Sequence, residues 1–259
     1  MILALLNNKG GVGKTTTAVN LAAAMGRGGR RVLLVDLDSQ ASATFSLGVP
    51  RSGLLSWSHD VLEAGGALHR WIRPSGTEGV DLVPGDLSLA SADLLLADLQ
   101  GREQRLRRAL IPLHGGYDFI ILDSPPSLSL LPINALVASD AFIIPVIPEY
   151  LALEGLVNFM TVVERVRTGI GNSSSLLGIV ITQADYRVRL TEEIVGLLRD
   201  RFGDDVFDTE IRINVRLAEA PSFGKSIFDY DGSAAGAKAY EQLCNEVMRR
   251  CQRATAAGE

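Results

Sequence analysis

Residues 7–17 read Asn-Asn-Lys-Gly-Gly-Val-Gly-Lys-Thr-Thr-Thr, and this run constrains the fold more than any other part of the chain. Ahead of it, Met1 to Leu6 is a short apolar run of the kind that forms a buried strand. Behind it, Ala18 to Met25 is rich in good helix formers. Strand, glycine loop and helix start form the setting of a phosphate cradle. Glycines let the backbone turn sharply and aim several N–H groups at one anion. The helix N-terminus adds unpaired N–H groups and a partial positive charge. In that geometry Lys14 reaches the outer phosphates of a nucleotide and the Thr15 hydroxyl serves a magnesium ion. Gly10, Gly11, Val12, Gly13 and Thr16 complete the cradle. The usual pattern, G-x-x-x-x-G-K-[ST], would put its first glycine at Asn8, and a lysine follows at Lys9. Two lysines therefore bracket the glycines.

The rest of the chain alternates strands and helices. Strands are predicted at 31–36, 80–84, 117–123, 141–146 and 176–182, and helices at 87–99, 104–113, 130–138, 151–168, 190–202 and 234–250. Residues 48–76 are loop-rich, with one short helix around Trp57 to Ala64. Such alternation predicts an α/β fold: a doubly wound, mostly parallel sheet with helices on both faces. One domain over 1–259 is expected, with 252–259 as a flexible tail.

In an open parallel sheet, ligands sit beyond the carboxyl ends of the strands. Two apolar strands deliver aspartates there. Arg31 to Asp36 ends in Asp36-Leu37-Asp38, whose two carboxylates share a side if the extended geometry continues. Phe119 to Asp123 ends in a carboxylate suited to magnesium, directly or through water. His59, His69 and His114 have no evident partners and read as surface or satisfied core. The basic face of Arg105, Arg107 and Arg108 reads as solvated.

With 259 residues, 47% of them hydrophobic, the chain can bury a large core. Net charge is −5, so any nucleic-acid contact has to come from a local basic patch. Cys244 and Cys251 lie in one predicted helix and form neither a disulfide framework nor a metal pattern. The chain opens directly into its first strand, so no signal peptide is expected. No apolar run reaches the roughly 18–20 residues that span a bilayer. A soluble, cytoplasmic protein is expected.

Three blocks together, Lys9 to Thr16, Asp36 to Gln40 and Ile121 to Pro126, resemble the ParA/MinD family of deviant Walker-type ATPases. Leu131 to Leu136, Pro148 to Gly155 and Asn214 to Lys225 are similar to its ParA/Soj branch. The resemblance runs from Met1 to about Arg250. It implies a P-loop fold binding ATP and magnesium, with weak intrinsic hydrolysis. It further implies an ATP-bound homodimer on non-specific double-stranded DNA, released when a ParB-like partner stimulates hydrolysis. Such a protein would partition a plasmid or chromosome and associate with the nucleoid.

By the same resemblance Lys9 crosses the dimer interface to the partner's nucleotide, so that activity depends on assembly. Lys9, Lys14 and Asp38 are then catalytic, with Asp38 positioning the attacking water. Thr15 and Asp123 hold magnesium, and Asp36 supports it. Gln183 and Asn214 become base contacts. Arg187 and Arg216 match the DNA-binding positions, and Arg189, Arg212, Lys225, Arg249 and Arg250 would widen the patch.

The chain departs from the family in places. Arg212-Ile213-Asn214 stands where Pro-Arg-Asn is usual, and Ser39 stands where a proline is usual. No helix-turn-helix extension precedes the loop, so specific operator binding is not expected. A ParA-like ATPase that positions a protein cargo, such as a carboxysome or chemoreceptor cluster, would share the same chemistry. A MinD-like membrane regulator needs a closing amphipathic helix with bulky apolar side chains, which 252–259 lack. An iron–sulfur reductase needs cysteines near the switch loops, and this chain has none there.

Overall fold

The computed structural model of the protein describes residues 1–50 and 56–257. The middle of the loop-rich stretch (51–55) and the last two positions of the expected tail (258–259) lie outside the described residues.

Eight strands, β1 (Ile2–Leu5), β2 (Val32–Asp36), β3 (Arg73–Pro74), β4 (Val80–Val83), β5 (Phe119–Asp123), β6 (Ala141–Val146), β7 (Ser175–Ala184) and β8 (Ile211–Arg212), make one sheet in the order β3-β4-β2-β5-β1-β6-β7-β8. Only the β3–β4 pair is antiparallel; the others run parallel, as expected. β1 lies between β5 and β6, and the chain leaves it toward β2 on one side before later crossing to β6 on the other. Strand order reverses there, and a crevice opens beyond the strand ends at such a point. The glycine loop emerges into that crevice.

The central strands are apolar throughout because both faces are covered. Their period of two divides the core. Ile2, Ala4, Leu33, Val35, Ile120 and Leu122 join a cluster with the helices Leu130–Ala138, Ala152–Ile170 and Arg189–Phe202. Leu3, Leu5, Val32, Leu34, Phe119 and Ile121 face the first helix (Lys14–Arg27) and the closing helix (Ala235–Ala257). Each fully buried leucine among them contributes roughly 2 kcal/mol over an exposed one. The first helix ends against the turn before β4, where a Cβ at Gly26 would lie 2.2 Å from the Glu78 carbonyl oxygen.

Several elements differ from expectation. The helix predicted over 87–99 divides into a 3-10 turn, Leu87–Ser91, and a short helix, Ala92–Leu96. The one over 104–113 is α-helical only at Arg105–Leu110, and a 3-10 turn containing Pro112 follows, because proline supplies no N–H to continue the ladder. The helix near Trp57 is a single π turn, His59–Glu63. Two-residue β3 and β8 carry too little pattern to read in advance. The closing helix runs past Arg250 to Ala257, so the tail expected from 252 has helical backbone where it is described. Arg105 is not simply solvated: it donates to the Glu63 carbonyl at 3.2 Å. His69 and His114 are exposed, and His59 pairs with Glu63 at 2.9 Å.

Candidate functional site

Side chains from strands far away in sequence shape the glycine loop. Asn7 donates to the Pro145 carbonyl at 2.8 Å and accepts from Lys9 N at 2.9 Å, which anchors the near limb to the end of β6. Gly11 and Gly13 have φ of +76° and +81°, a region that β-carbons disfavour. Gly13 caps the helix, and its carbonyl accepts from Thr17 N at 2.9 Å. The far limb is held from β7. Thr182 Oγ1 donates to the Val12 carbonyl at 2.9 Å, and Gln183 Nε2 donates to the Gly11 carbonyl at 2.7 Å. Gln183 takes φ of +52° beside a register shift between Thr182 and Ala184. A left-handed non-glycine residue stores about 1–3 kcal/mol, which fits a residue bent out of its strand to reach the loop. Thr182 went unnoticed in the sequence, where it is only one more β-branched residue in a strand.

The loop forms one wall of a cavity of about 500 Å³ through Gly11, Gly13, Lys14, Thr15 and Thr16. Asp38, Ser42, Phe45 and Ser46 form the opposite wall, with Ser124, Pro126, Gln183 and Pro221 at its margins. Gly11, Gly13, Lys14, Thr15, Thr16, Asp38 and Gln183 are thus brought to one cavity, while Lys9, Gly10 and Val12 are not among its lining residues. Asn214 is not among them. Its Oδ1 caps the helix Val215–Glu219 by accepting from Leu217 N at 3.3 Å, and it lines a neighbouring cleft with Tyr186, Arg212 and Gly236. In this structure the Asn214 side chain caps a helix, and a base contact from it is a proposal.

Lys14 is buried, and its Nζ donates to the Lys9 carbonyl at 2.8 Å. Burial lowers its pKa, opposed by the charges of Asp123 and then Asp38. Asp123 is fully buried; the Thr15 hydroxyl acts on its carboxylate, and neither oxygen makes a well-formed hydrogen bond. Burial and then the nearby Asp36 hold its pKa well above the usual carboxylate range; Thr15 and Lys14 oppose them. A buried carboxylate without a well-formed hydrogen bond is costly unless a cation or proton compensates it. No group of three or more His, Cys, Asp or Glu among the described residues could hold a metal by itself. Asp123 and Thr15 suit a magnesium ion that arrives with phosphates, since magnesium takes few protein ligands and keeps waters.

Asp36, also fully buried, is saturated. Its Oδ2 accepts from Thr44 N at 2.9 Å and Thr44 Oγ1 at 2.7 Å, and its Oδ1 accepts from Asp38 N at 3.1 Å. Burial raises its pKa to about 6, with the Thr44 hydroxyl the largest influence the other way. The extended geometry imagined for Asp36 and Asp38 stops at Asp36, where β2 ends. Asp36 turns inward, and Asp38 reaches the cavity.

Lys9 lies on the exposed rim and forms an ion pair with Glu149, in the loop after β6. Tyr150 and Leu151 beside it are exposed. Glu149 was not singled out in the sequence; a lone glutamate in a loop carries no signal.

The candidate DNA cations divide into two kinds. Arg187 is exposed but bound by Asp185 through two 2.7 Å contacts. Arg189 pairs with Glu193 at 3.2 Å, and Arg216 with Glu219 at 2.8 Å and Asp231 at 3.6 Å. Arg212 sits over the Tyr186 ring at 4.9 Å, while Lys225 and Arg249 are exposed. Arg250 is different, because its guanidinium is engaged within the fold. It donates to the Leu177 carbonyl at 3.1 Å, the Val206 carbonyl at 3.0 Å and Glu246 at 3.0 Å, and stacks on Phe207 at 4.1 Å. Those contacts fasten the closing helix to the sheet.

A family model described as an AAA domain matches residues 1–176. The chain is 46% identical over 253 residues to the chromosome-partitioning ATPase Soj of Thermus thermophilus, covering 97% of each. It is 43% identical over 246 residues to the sporulation initiation inhibitor protein Soj of Bacillus subtilis, covering 95% of this chain and 97% of that one. Among solved structures, a Mycobacterium smegmatis protein named cobyrinic acid a,c-diamide synthase, with bound ATP analog and magnesium, superposes with a TM-score of 0.83 at 34% identity. That match covers 97% of this chain and 95% of the other.

Proposed function

Because the chain belongs to the ParA/Soj family of partition ATPases, we propose that it uses ATP to hold two copies together on DNA and hydrolysis to let go. The observation that carries this reading is that Lys14, Thr15 and Asp38 line one cavity with the glycine loop, with the buried Asp123 carboxyl acting on Lys14 and Thr15. Burial holds the Asp123 pKa high, and a cation brought with a nucleotide would favour its ionised form.

The residues divide the work. Backbone N–H groups of Gly10 to Thr16 cradle the phosphates, and Lys14 exchanges the Lys9 carbonyl for phosphate oxygens. Thr15 and Asp123 hold magnesium, which neutralises phosphate charge during transfer. Asp38, on the facing wall, positions the attacking water. Asp36 supports the metal site indirectly, by fixing the backbone of Asp38. Lys9 leaves Glu149 and reaches the nucleotide of a second copy, supplying a cation that a lone chain lacks.

Exposed arginines on the Arg187–Arg216 side, doubled in the assembled pair, hold the DNA backbone without reading bases. A ParB-like protein stimulates hydrolysis and so releases the pair. The load moved this way is a plasmid or chromosome. No helix among the described residues is long and apolar enough to cross a membrane.

The test is whether Mg–ATP, and not Mg–ADP, converts the protein to a dimer retained on arbitrary duplex DNA at about 0.1–0.15 M salt. A monomer at saturating ATP overturns the reading. Capture of partners with the Asp38→Ala form separates DNA partition from transport of a protein cargo.

A further inference from the structure

Thr44 lies on the one-turn helix Ser42–Ser46, fully buried and absent from the cavity wall. Its hydroxyl accepts from Gly85 N at 2.8 Å. Its only proton is therefore directed to Asp36 Oδ2, at 2.7 Å, where Thr44 N also donates at 2.9 Å. These two bonds orient the Asp36 carboxylate so that Oδ1 meets Asp38 N at 3.1 Å. Asp38 in turn accepts from Gln40 N at 2.9 Å, and Ala41, at φ +54°, closes the turn by donating to the Asp38 carbonyl at 2.9 Å. From behind, Gly85 packs so closely that a Cβ there would lie 2.6 Å from the Asp38 carbonyl and 2.8 Å from Asp36 Cγ.

We propose that Thr44 is a positioning residue for hydrolysis, holding Asp38 against the cavity through the buried Asp36 carboxylate and the Gly85 backbone. The proposal rests on the reading of Asp38 as the water-positioning group. A buried, fully satisfied network holds one geometry, and removing one hydroxyl leaves Gly85 N without its acceptor and Asp36 short of a donor. Asp38 then loses its fixed place, while the phosphate cradle is left untouched.

The experiment measures kcat and KM for Mg–ATP in the full chain and in four variants: Thr44→Val, Thr44→Ser, Gly85→Ala and Asp38→Ala. Thr44→Val keeps the shape and removes the hydroxyl. Gly85→Ala leaves the Thr44 hydroxyl in place and presses directly on Asp36 and Asp38. Both are expected to lose about tenfold or more in kcat with KM within about threefold, and Thr44→Ser to restore turnover to within about threefold. Full turnover by either impaired variant, with Asp38→Ala slow, overturns the proposal. A loss of affinity as large as the loss of turnover overturns it too, since that marks Thr44 as part of the binding wall. If Asp38→Ala itself turns over normally, the parent reading of Asp38 fails instead. Should Thr44→Val not fold, Thr44→Ala takes its place under the same criteria.

Discussion

Asp36 and Asp123 are register partners at the ends of β2 and β5, yet Asp36 accepts three hydrogen bonds while Asp123 makes no well-formed one and is acted on by the Thr15 hydroxyl and Lys14. The same strand position therefore serves two purposes. Asp36 braces the Asp38 turn, and Asp123 serves Thr15 and Lys14 at the loop.

The difference is measurable through pH. Burial lifts Asp36 from 3.8 to about 6, so the folded chain binds more protons than the unfolded chain between those values. Its contribution to stability is complete below about 4 and declines as pH rises to about 6. Asp36→Asn removes that contribution. The unfolding free energy of the wild type minus that of the variant, by denaturant titration at each pH, should fall across the window and level above it. A flat difference would refute it.

Lys14→Ala should abolish ATP binding while leaving the fold intact, because Lys14 brings a cation to the cavity lining and its Nζ bonds only within the loop, to the Lys9 carbonyl. Calorimetric titration checks this. Retained micromolar affinity, about −8 kcal/mol, would sink the loop assignment.

Asp38→Ala should still bind ATP and dimerise, and should hydrolyse at least about tenfold more slowly. Asp38 faces the cavity and accepts only a local bond from Gln40 N, so its removal spares the cradle. Sedimentation with ATP, paired with phosphate release, separates the two effects.

Arg216 is held by Glu219 and Asp231, so the patch in this structure is partly self-neutralised. Arg216→Glu should lose DNA retention while keeping ATP-dependent dimerisation. Glu219→Gln should strengthen retention by freeing the guanidinium. Filter binding over a salt series reads both, and the Arg216→Glu slope should be shallower. No change in either variant would remove Arg216 from the interface.

Arg250→Ala should behave as a stability variant. It breaks the half-buried bonds to Leu177, Val206 and Glu246, at a cost of about 2 kcal/mol in thermal or chemical unfolding. DNA retention per folded molecule should be unchanged, and a selective loss of retention would assign it to the DNA patch.

The sequence by itself determined the six longer strands, the loop and the acids. Strand runs such as Phe119 to Asp123 and Ala141 to Val146 announce themselves because burial on both faces demands unbroken apolar residues. Gly11, Gly13 and Lys14 announce themselves because phosphate binding at a helix start leaves few choices of side chain. Tertiary structure alone decided how these groups are held and which are occupied. Thr182 and Gln183 reach the loop from β7 and Glu149 pairs with Lys9, each across more than a hundred residues, and the turn after β2 folds Thr44 back onto Asp36. The helix cap made by Asn214 and the carbonyl contacts of Arg250 were hidden from the sequence for the same reason. A polar side chain's role is set by whichever partner the fold brings within about 3 Å, and spacing along the chain does not record that distance.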